Sequence, residues 1–527
     1  MMPRIQLVLI LVISYAIVNV SALAADASRK RPNVLLIMTD NQSASLLGAY
    51  GNPVIETPNI DRLANEGVLF ERAYATSGVC SPSRAVLLTG LIPSANGVHN
   101  GLPSEFSFQP YSAIAEYRNW PQTLADAGYS TGFVGKYHLG VHEEPSLGFD
   151  FWVTFRGGHT TSFVDAAIFD NGKTYNVADS NEHLTDFWTR RATDFIQSQE
   201  DSDSPFFLWL SYNGPYILPP TVNQPPVSRF AERYEDNVPP MPQEPVHASL
   251  REQTKSTIGE TEFPDYVGGT IFWAAIDALN NRKAMINIAA ETTHVDNGIG
   301  EVLRSLESAD LLEDTLIIFL SDQGSAYGQL GLWGNSSWAE PAPAYNANMQ
   351  IPLIFRHPAR IPAGQRRKEM INQFDIFPTV LDYLGLSHLQ IANSPGQSFA
   401  PILMMKDIDW NNEVFYEYLA TRAIQTDRWK YVKRIYGEPD ELFDLKADPE
   451  EKNNLIDNPA HRSVVVKLDR RLSEFFGEYA APEFDVWKGG TGKARLYYDE
   501  ARTNWFRDAS ADFKEPFIDE RPPFRDN

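Results

Sequence analysis

The chain has 527 residues, of which 43% are hydrophobic and 12% aromatic, and its formal net charge at pH 7 is −23. This length and apolar content predict one large folded domain with a smaller one, and the acidity argues against nucleic acid as a partner. An anionic substrate would therefore need a locally positive pocket to overcome the surrounding field.

Residues 1–25 are predicted to form a signal peptide. Arg4 gives the positive start, IQLVLILVISYAIVNV the apolar run, and SALAA the small residues for cleavage near Ala24 or Ala25. A membrane anchor is the alternative, because the run approaches spanning length, but the small-residue end without a basic stop favours cleavage. No cysteine follows that could carry a lipid anchor. We therefore predict a secreted or periplasmic protein without stable membrane insertion.

Residues 26–398 alternate short apolar runs with helical patterns, and polar residues follow most of the runs. The runs are NVLLIM (33–38), TGFVG (131–135), FFLWLSY (206–212), TLIIFLS (315–321) and IPLIFR (351–356). They predict buried parallel strands in a large, mostly parallel α/β sheet sandwiched by helices. Ligands gather at the carboxyl ends of such strands, so we expect the functional site at that edge.

Three other segments have a different texture. The Pro-rich stretch from Pro219 to Pro264 predicts a long surface insertion. Residues 399–480 read as short antiparallel strands followed by the amphipathic helix RSVVVKLDRRLSEFFGEY, which predicts a small α+β subdomain. Residues 481–527 have aromatic anchors but weak periodicity, and we expect them to wrap the body as a tail.

The only cysteine of the chain, Cys80, lies in GVCSPSRAVLLTG. Pro82 suits a first helical turn, with Cys80 as its cap, and Gly90 is a stop signal. Cys80 and Arg84 are four apart and share a helix face. Because a helix N-terminus attracts negative charge, the motif predicts an anion seat with a reactive atom at its centre. A small buried apolar residue is the alternative reading of a lone cysteine.

CSPSR followed by LTG resembles the signature of the formylglycine-dependent sulfatases, and GYSTGFVGKYHLG (128–140) resembles their second signature. The resemblance covers roughly residues 32–476 and implies an alkaline phosphatase-like fold. It implies that a maturation enzyme oxidises Cys80 to formylglycine before folding. The hydrated aldehyde carries two hydroxyls on one carbon. One of them attacks sulfur, and the other later expels sulfate as the aldehyde re-forms.

The resemblance also implies a calcium ion near Cys80, held by Asp40, Asn41, Asp322 and Gln323 at two strand ends. The family usually has a second Asp at position 41 and an Asn at position 323. This chain has lost one formal negative charge there, so we expect weaker calcium affinity. For Asp40 taken alone, a helix cap after a strand is the alternative.

Lys136 and His138 follow the strand TGFVG and alternate like residues on one face. By resemblance, Lys136 holds a sulfate oxygen or the aldehyde hydroxyl, and His138 moves protons during sulfate elimination. Two positions depart from the family pattern: Tyr216 stands where many relatives have a histidine, and Asn335 where they have a lysine that contacts the sulfate. The general acid is therefore not assigned by resemblance. Tyr216 is a candidate donor, and packing is its alternative.

Three further histidines are unranked candidates for that role: His99, His159 and His294. The leading hypothesis is an exported sulfatase acting on a sulfated polysaccharide or oligosaccharide, with sugar rings resting on Tyr216, Trp333 and Trp338. The sequence leaves two alternatives open. One is a phosphoester or phosphonate hydrolase of the same superfamily, and the other is a sulfated-glycan-binding protein with impaired catalysis.

Overall fold

The structure is a computed structural model that describes residues 31–102, 111–141, 145–155, 162–216, 227–250, 275–276, 278–339, 341–389, 393–435 and 439–493. The predicted signal peptide, the tail beyond residue 493 and much of the Pro-rich insertion lie outside these residues. No helix within the described ranges is both long and apolar enough to cross a bilayer.

The described strands fall into one large sheet and three small ones. In chain order they are β1 (Asn33–Asp40), β2 (Val68–Tyr74), β3 (Tyr111–Ser112), β4 (Ser130–Gly135), β5 (Gly140–Val141), β6 (Phe151–Phe155), β7 (Ala167–Asp170), β8 (Lys173–Asn176), β9 (Phe206–Pro215), β10 (Thr315–Ser321), β11 (Ala326–Tyr327), β12 (Trp333–Gly334), β13 (Gln350–Arg356), β14 (Gln365–Asn372), β15 (Glu413–Tyr418), β16 (Thr421–Thr426), β17 (Trp429–Arg434) and β18 (Glu441–Asp444).

The large sheet has ten strands in the order β14-β2-β13-β10-β1-β9-β4-β6-β7-β8. Its centre, β10-β1-β9-β4-β6, is parallel throughout. Every residue of β1 is buried, as expected for a central strand covered on both faces. The predicted large α/β sheet is confirmed.

One strand runs against the prediction. The run IPLIFR, expected to be parallel, forms β13, which is antiparallel to both β10 and β2. Only short elements join β10 to β13, at residues 326–349, without a helix long enough to cross back along the sheet. A parallel pair needs such a crossover, so the chain returns antiparallel.

Helices cover both faces of the large sheet. In chain order the described helices are α1 (Pro58–Asn65), α2 (Cys80–Thr89), α3 (Pro93–Asn96), α4 (Trp120–Asp126), α5 (Leu184–Gln197), α6 (Arg282–Ser308), α7 (Asn346–Met349), α8 (Ile376–Tyr383), α9 (Ala400–Leu403) and α10 (Arg462–Tyr479). Alternate β1 side chains enter separate cores: Leu35 packs with α1, α5 and α6, whereas Leu36 packs with α2, α4 and α8.

The C-terminal part is an antiparallel sheet, β15-β16-β17-β18, with α10 packed on it. Phe415 of the sheet stacks on Phe475 of α10 with ring centroids 3.7 Å apart. The same apolar cluster includes Val86 of α2. The C-terminal sheet therefore packs directly on the helix that begins with the lone cysteine.

Candidate active site

Four charged or reactive side chains meet at the carboxyl edge of the large sheet. Asp40 ends β1, Asp322 directly follows β10, Lys136 directly follows β4, and Cys80 is the first residue of α2. Each is at most 1% exposed. The edge at which parallel strands end therefore gathers the residues that the motifs singled out.

The Cys80 thiol lies at the centre of this group. Its sulfur is 3.4 Å from Asp40 Oδ1, 3.3 Å from Lys136 Nζ and 3.2 Å from Gln323 Nε2. The helix cap is Val79, whose backbone is extended, so Cys80 lies one position further into the helix than expected. The sulfur marks the place of the reacting atom in any modified form of this side chain.

Charge in this group is balanced by contact. Lys136 Nζ donates to Asp40 Oδ2 at 2.5 Å. Burial is the largest influence on Lys136 and lowers its pKa, but the charges of Asp40, Cys80 and Asp322 together leave the pKa above its ordinary value. Burial, reinforced by Asp40, raises the pKa of the Cys80 thiol to about 12. At neutral pH the site therefore holds a Lys136 ammonium and a neutral Cys80 thiol.

Arg84 is fully buried and points at protein groups. Its Nε and one terminal nitrogen donate to Asp322 Oδ2 at 3.0 and 2.8 Å. The other terminal nitrogen donates to the Lys136 carbonyl and, at 2.9 Å, to Ser211 Oγ. The guanidinium thus ties α2 to the ends of β4, β9 and β10, and its predicted contact with a substrate anion stays a prediction.

The residues predicted to hold a metal come together. Ligand atoms of Asp40, Cys80 and Asp322 all lie within 4.8 Å of one another. Asp322 Oδ1 also accepts the N–H groups of Asn41 and Gln323 at 3.0 and 2.9 Å. Burial, followed by the charge of Asp40, raises the pKa of Asp322, because two buried carboxylates lie close together. A cation between them would relieve that repulsion.

The amide side chains complete this donor set. Gln323 Nε2 donates to Asn41 Oδ1, and Asn335 Nδ2 approaches the same oxygen at 3.3 Å. Gln323 Oε1 is buried and has no hydrogen-bond partner among the described residues. Two carboxylates and such an amide oxygen are the hard oxygen donors that a divalent cation prefers. The residues present therefore fit a metal.

His138 lies beside this group in a left-handed backbone conformation, with φ of 54°. Its Nε2 donates to the Leu102 carbonyl at 3.1 Å, and its own carbonyl accepts from Ser81 Oγ at 2.7 Å. The carbonyl can only accept, so the neutral ring carries its proton on Nε2. In the neutral ring the lone pair is then on Nδ1.

Tyr216 follows β9 on the other side of the site. Lys136 Nζ lies 5.5 Å from the centre of its ring, and Trp338 Nε1 donates to its hydroxyl at 3.2 Å. Burial raises the pKa of Tyr216 well above its ordinary value, and the nearby Cys80 and Asp40 add to the rise. The phenol therefore stays protonated and can donate a hydrogen bond, although the raised pKa makes it a weaker acid than a free tyrosine.

The two tryptophans do not offer the open faces expected for sugar stacking. Trp333 and Trp338 are each 3% exposed. Trp333 packs edge-on against Tyr327, and Trp338 lies beside Tyr216. Trp338 also holds the Tyr216 hydroxyl by its indole N–H, whereas Trp333 contacts Tyr327. As sugar platforms they are not supported.

The other candidate histidines that the structure describes, His99 and His294, are hydrogen-bonded to groups outside this site. His99 bonds to the Phe484 carbonyl, and His294 bonds to Asp186 and Ser228. His159 lies outside the described residues. These contacts give His99 and His294 structural partners of their own, which weakens both as proton donors to a substrate.

Sequence reasoning missed two hydroxyl groups that support the site. Tyr327 donates to the Asn41 carbonyl at 2.5 Å, and Ser211 bonds to both Arg84 and the Lys136 carbonyl. Ser211 was detectable in principle, because it lies at the end of the predicted strand FFLWLSY. Tyr327 follows the strand-end Asp322 by five residues, and no pattern marks it.

Comparisons with known proteins agree with this geometry. The family model described as Sulfatase matches residues 32–386, and the model described as N-sulphoglucosamine sulphohydrolase, C-terminal, matches residues 334–477. An N-acetylglucosamine-6-O-sulfatase of Bacteroides thetaiotaomicron is 26% identical over 85% of this chain and 87% of its own length. The ulvan-active sulfatase of Formosa agariphila is 26% identical, with 89% and 84% covered.

Solved structures show the same architecture. One of them, a complex with its substrate D-glucosamine-2-N,6-O-disulfate, superimposes with a TM-score of 0.69 at 25% identity, covering 85% of this chain and 98% of that one. A phosphonate monoester hydrolase of Agrobacterium radiobacter superimposes with a TM-score of 0.64 at 22% identity, covering 85% and 96%. At that identity the second likeness concerns the fold alone.

The raised thiol pKa predicts slow alkylation of unmodified Cys80. At pH 8, a thiol with a pKa of about 12 holds roughly 1,000-fold less thiolate than a free cysteine, and only the thiolate reacts. Chelator-treated native protein should therefore react with iodoacetamide at least that much more slowly than urea-unfolded protein. Peptide mass spectrometry follows the alkylation in both states. Equal rates would contradict the burial and charge described for Cys80.

Proposed function

The chain belongs to the sulfatase family, and we propose that it is an exported sulfatase that removes sulfate from a sulfated saccharide. It is a sulfuric ester hydrolase, as the family match over residues 32–386 requires. The observation that carries the proposal is the Cys80 side chain, buried between the Lys136 ammonium and the Asp40 carboxylate at the end of the sheet.

Formylglycine at position 80 is the proposed reacting group. Its hydrate supplies one hydroxyl that attacks sulfur and a second that releases sulfate when the aldehyde re-forms. Lys136 lies within 3.3 Å of the atom at that position, so its ammonium is placed to hold negative charge there. His138 offers Nδ1 as the site that takes up and returns a proton. A formylglycine-generating maturation enzyme is the partner that this proposal requires.

Calcium is the proposed metal, held by Asp40, Asn41, Asp322 and Gln323 next to position 80. All four are oxygen donors, which suits calcium better than zinc or copper. When bound, the ion would polarise the reacting hydroxyl and stabilise charge on sulfate. Asn41 and Gln323 carry no charge, so the site attracts a dication less strongly than one with a third carboxylate.

A saccharide is the proposed leaving group. Several relatives carry names of sugar sulfatases. By the family resemblance, Tyr216 stands where many sulfatases have a histidine near the leaving group. A sugar alcohol is a poor leaving group and needs a proton, which a protonated phenol can donate. Asn335, bonded to Asn41 and to Ser337, is proposed to contact the sulfate in place of a lysine.

The function is tested with enzyme made together with a formylglycine-generating enzyme. Sulfate should be released from a panel of defined sulfated oligosaccharides, and the peptide containing residue 80 should show the mass of formylglycine. Cys80→Ala should fold and release none. Full activity with only unmodified thiol, or preference for the phosphate ester of the same alcohol, would overturn the proposal.

Tyr216→Phe should separate the two kinds of leaving group. Loss of the phenolic proton should lower kcat on sulfated oligosaccharides by about 100-fold or more. An aryl sulfate, whose phenolate leaves without protonation, should lose less than about fivefold. Tyr175→Phe, away from the site, is the matched control. An equal loss on both substrates would show that Tyr216 only packs.

Asn41→Asp should strengthen calcium binding, because it restores a carboxylate beside Asp40 and Asp322. The expected gain is at least about tenfold in affinity by isothermal titration calorimetry. Asn41 has φ of 58°, a conformation that Asp also tolerates. Asn411→Asp on the surface is the control. Unchanged affinity, or activity that survives prolonged chelation, would contradict the metal assignment.

A further inference from the structure

Residues 481–493, which we call the strap, pack against α3 and the residues that follow it. The Ala481 N–H donates to the Ser94 carbonyl at 2.9 Å, and the Lys493 N–H donates to the Gly97 carbonyl at 2.7 Å. A Cβ on Gly97 would lie 2.7 Å from the Phe484 ring, so the two segments are in close contact. The first and last residues of the strap thus bond to α3 and to the residue that follows it.

A histidine side chain fastens the same two segments. His99 Nε2 donates to the Phe484 carbonyl at 2.7 Å. Burial lowers the pKa of His99, which keeps the ring neutral and the bond a simple N–H donation. His99 is 2% exposed, so a lost donor there would leave a buried carbonyl without a partner.

Buried charges hold the middle of the strap to the C-terminal sheet. Asp485 accepts from Arg422 at 2.7 Å, and both are buried. Arg422 also pairs with Glu417, whose second oxygen accepts the Ser94 N–H at 2.8 Å. The guanidinium lies over the Phe476 ring at 3.8 Å. Loss of one partner would leave another charge buried and unpaired, which is costly. These ion pairs therefore fix the strap on the C-terminal sheet.

The end of the strap is fastened in the same way. Lys493 is 5% exposed, and its ammonium donates to the Ala113 carbonyl at 2.6 Å and pairs with Glu116. It also lies 4.5 Å from the centre of the Tyr117 ring. The strap is therefore fixed at Asp485 and at Lys493, both of which follow the Phe484 carbonyl that accepts from His99.

The chain held by the strap continues to the reacting centre. Three residues after His99, Leu102 donates its N–H to Ser81 Oγ at 2.9 Å. Ser81 Oγ donates to the His138 carbonyl, and His138 Nε2 returns a bond to the Leu102 carbonyl. These three bonds close a ring around His138, whose left-handed backbone needs support from its neighbours.

We propose that the strap positions His138: by holding residues 94–99 it places the Leu102 carbonyl, which keeps the His138 proton on Nε2 and its lone pair on Nδ1. Asp485, His99 and Lys493 are thus positioning residues, far along the chain from the histidine that they serve. The inference rests on the proposed role of His138 in proton transfer, but its structural part can be measured without any turnover.

The test uses two variants that weaken the strap differently. Asp485→Asn keeps the shape and removes the charge that faces Arg422, and His99→Phe keeps a ring and removes the donor. His99→Gln restores a donor and is the conservative rescue. Glu483→Ala, at an exposed strap residue, is the matched control. Nitrogen-15 NMR of the histidine rings, assigned with His138→Asn, reports the tautomer of His138.

We expect the parental protein and Glu483→Ala to show His138 protonated on Nε2 alone. Asp485→Asn and His99→Phe should show a mixture of tautomers and lower kcat by about tenfold with KM within about twofold, and His99→Gln should recover most of the loss. A single Nε2–H tautomer in a folded strap variant overturns the proposal. If the strap variants change the tautomer of His138 but the parental protein has no sulfatase activity, the proposed function is contradicted and the positioning role of the strap still stands.

Discussion

The site depends on burying two carboxylates and two cationic side chains together. Asp40 and Asp322 bring negative charge to the end of the sheet, and Lys136 and Arg84 neutralise it, each at most 1% exposed. Removing one partner of such a pair typically costs about 3–5 kcal/mol, because the other charge stays buried. The strands must therefore place these groups at matching positions. β1 and β10 do this by pairing Thr39 with Ser321, the residues immediately before Asp40 and Asp322.

This charge balance also bears on the proposed metal site. Arg84 occupies one oxygen of Asp322, and Lys136 occupies one oxygen of Asp40, so protein cations already compensate both carboxylates. With neutral amides at positions 41 and 323, an added dication gains less than it would beside a third acid.

The C-terminal part of the chain is a structural component of the reaction centre. Tyr416 of β15 donates to Ser336 Oγ at 2.8 Å, and a Cβ on Gly78 would lie 2.8 Å from that phenol oxygen. The loop before Cys80 and the loop after Asn335 are thus held against the C-terminal sheet. The buried ion pair of Lys430 with Glu451 supports the following loop through Asn346 in the same way. Changes far from position 80 along the chain can therefore alter its surroundings.

The sequence was enough to predict the sheet class, the edge at which the candidate site lies and the polar residues that meet there. This was possible because apolar runs mark buried strands, and every parallel strand of a sheet ends at the same edge. The folded structure was needed to show that β13 runs antiparallel, that Arg84 faces Asp322, and that Trp333 and Trp338 are buried. Each of these depends on contacts between segments far apart in the chain, and local patterns carry no record of which distant groups a side chain meets.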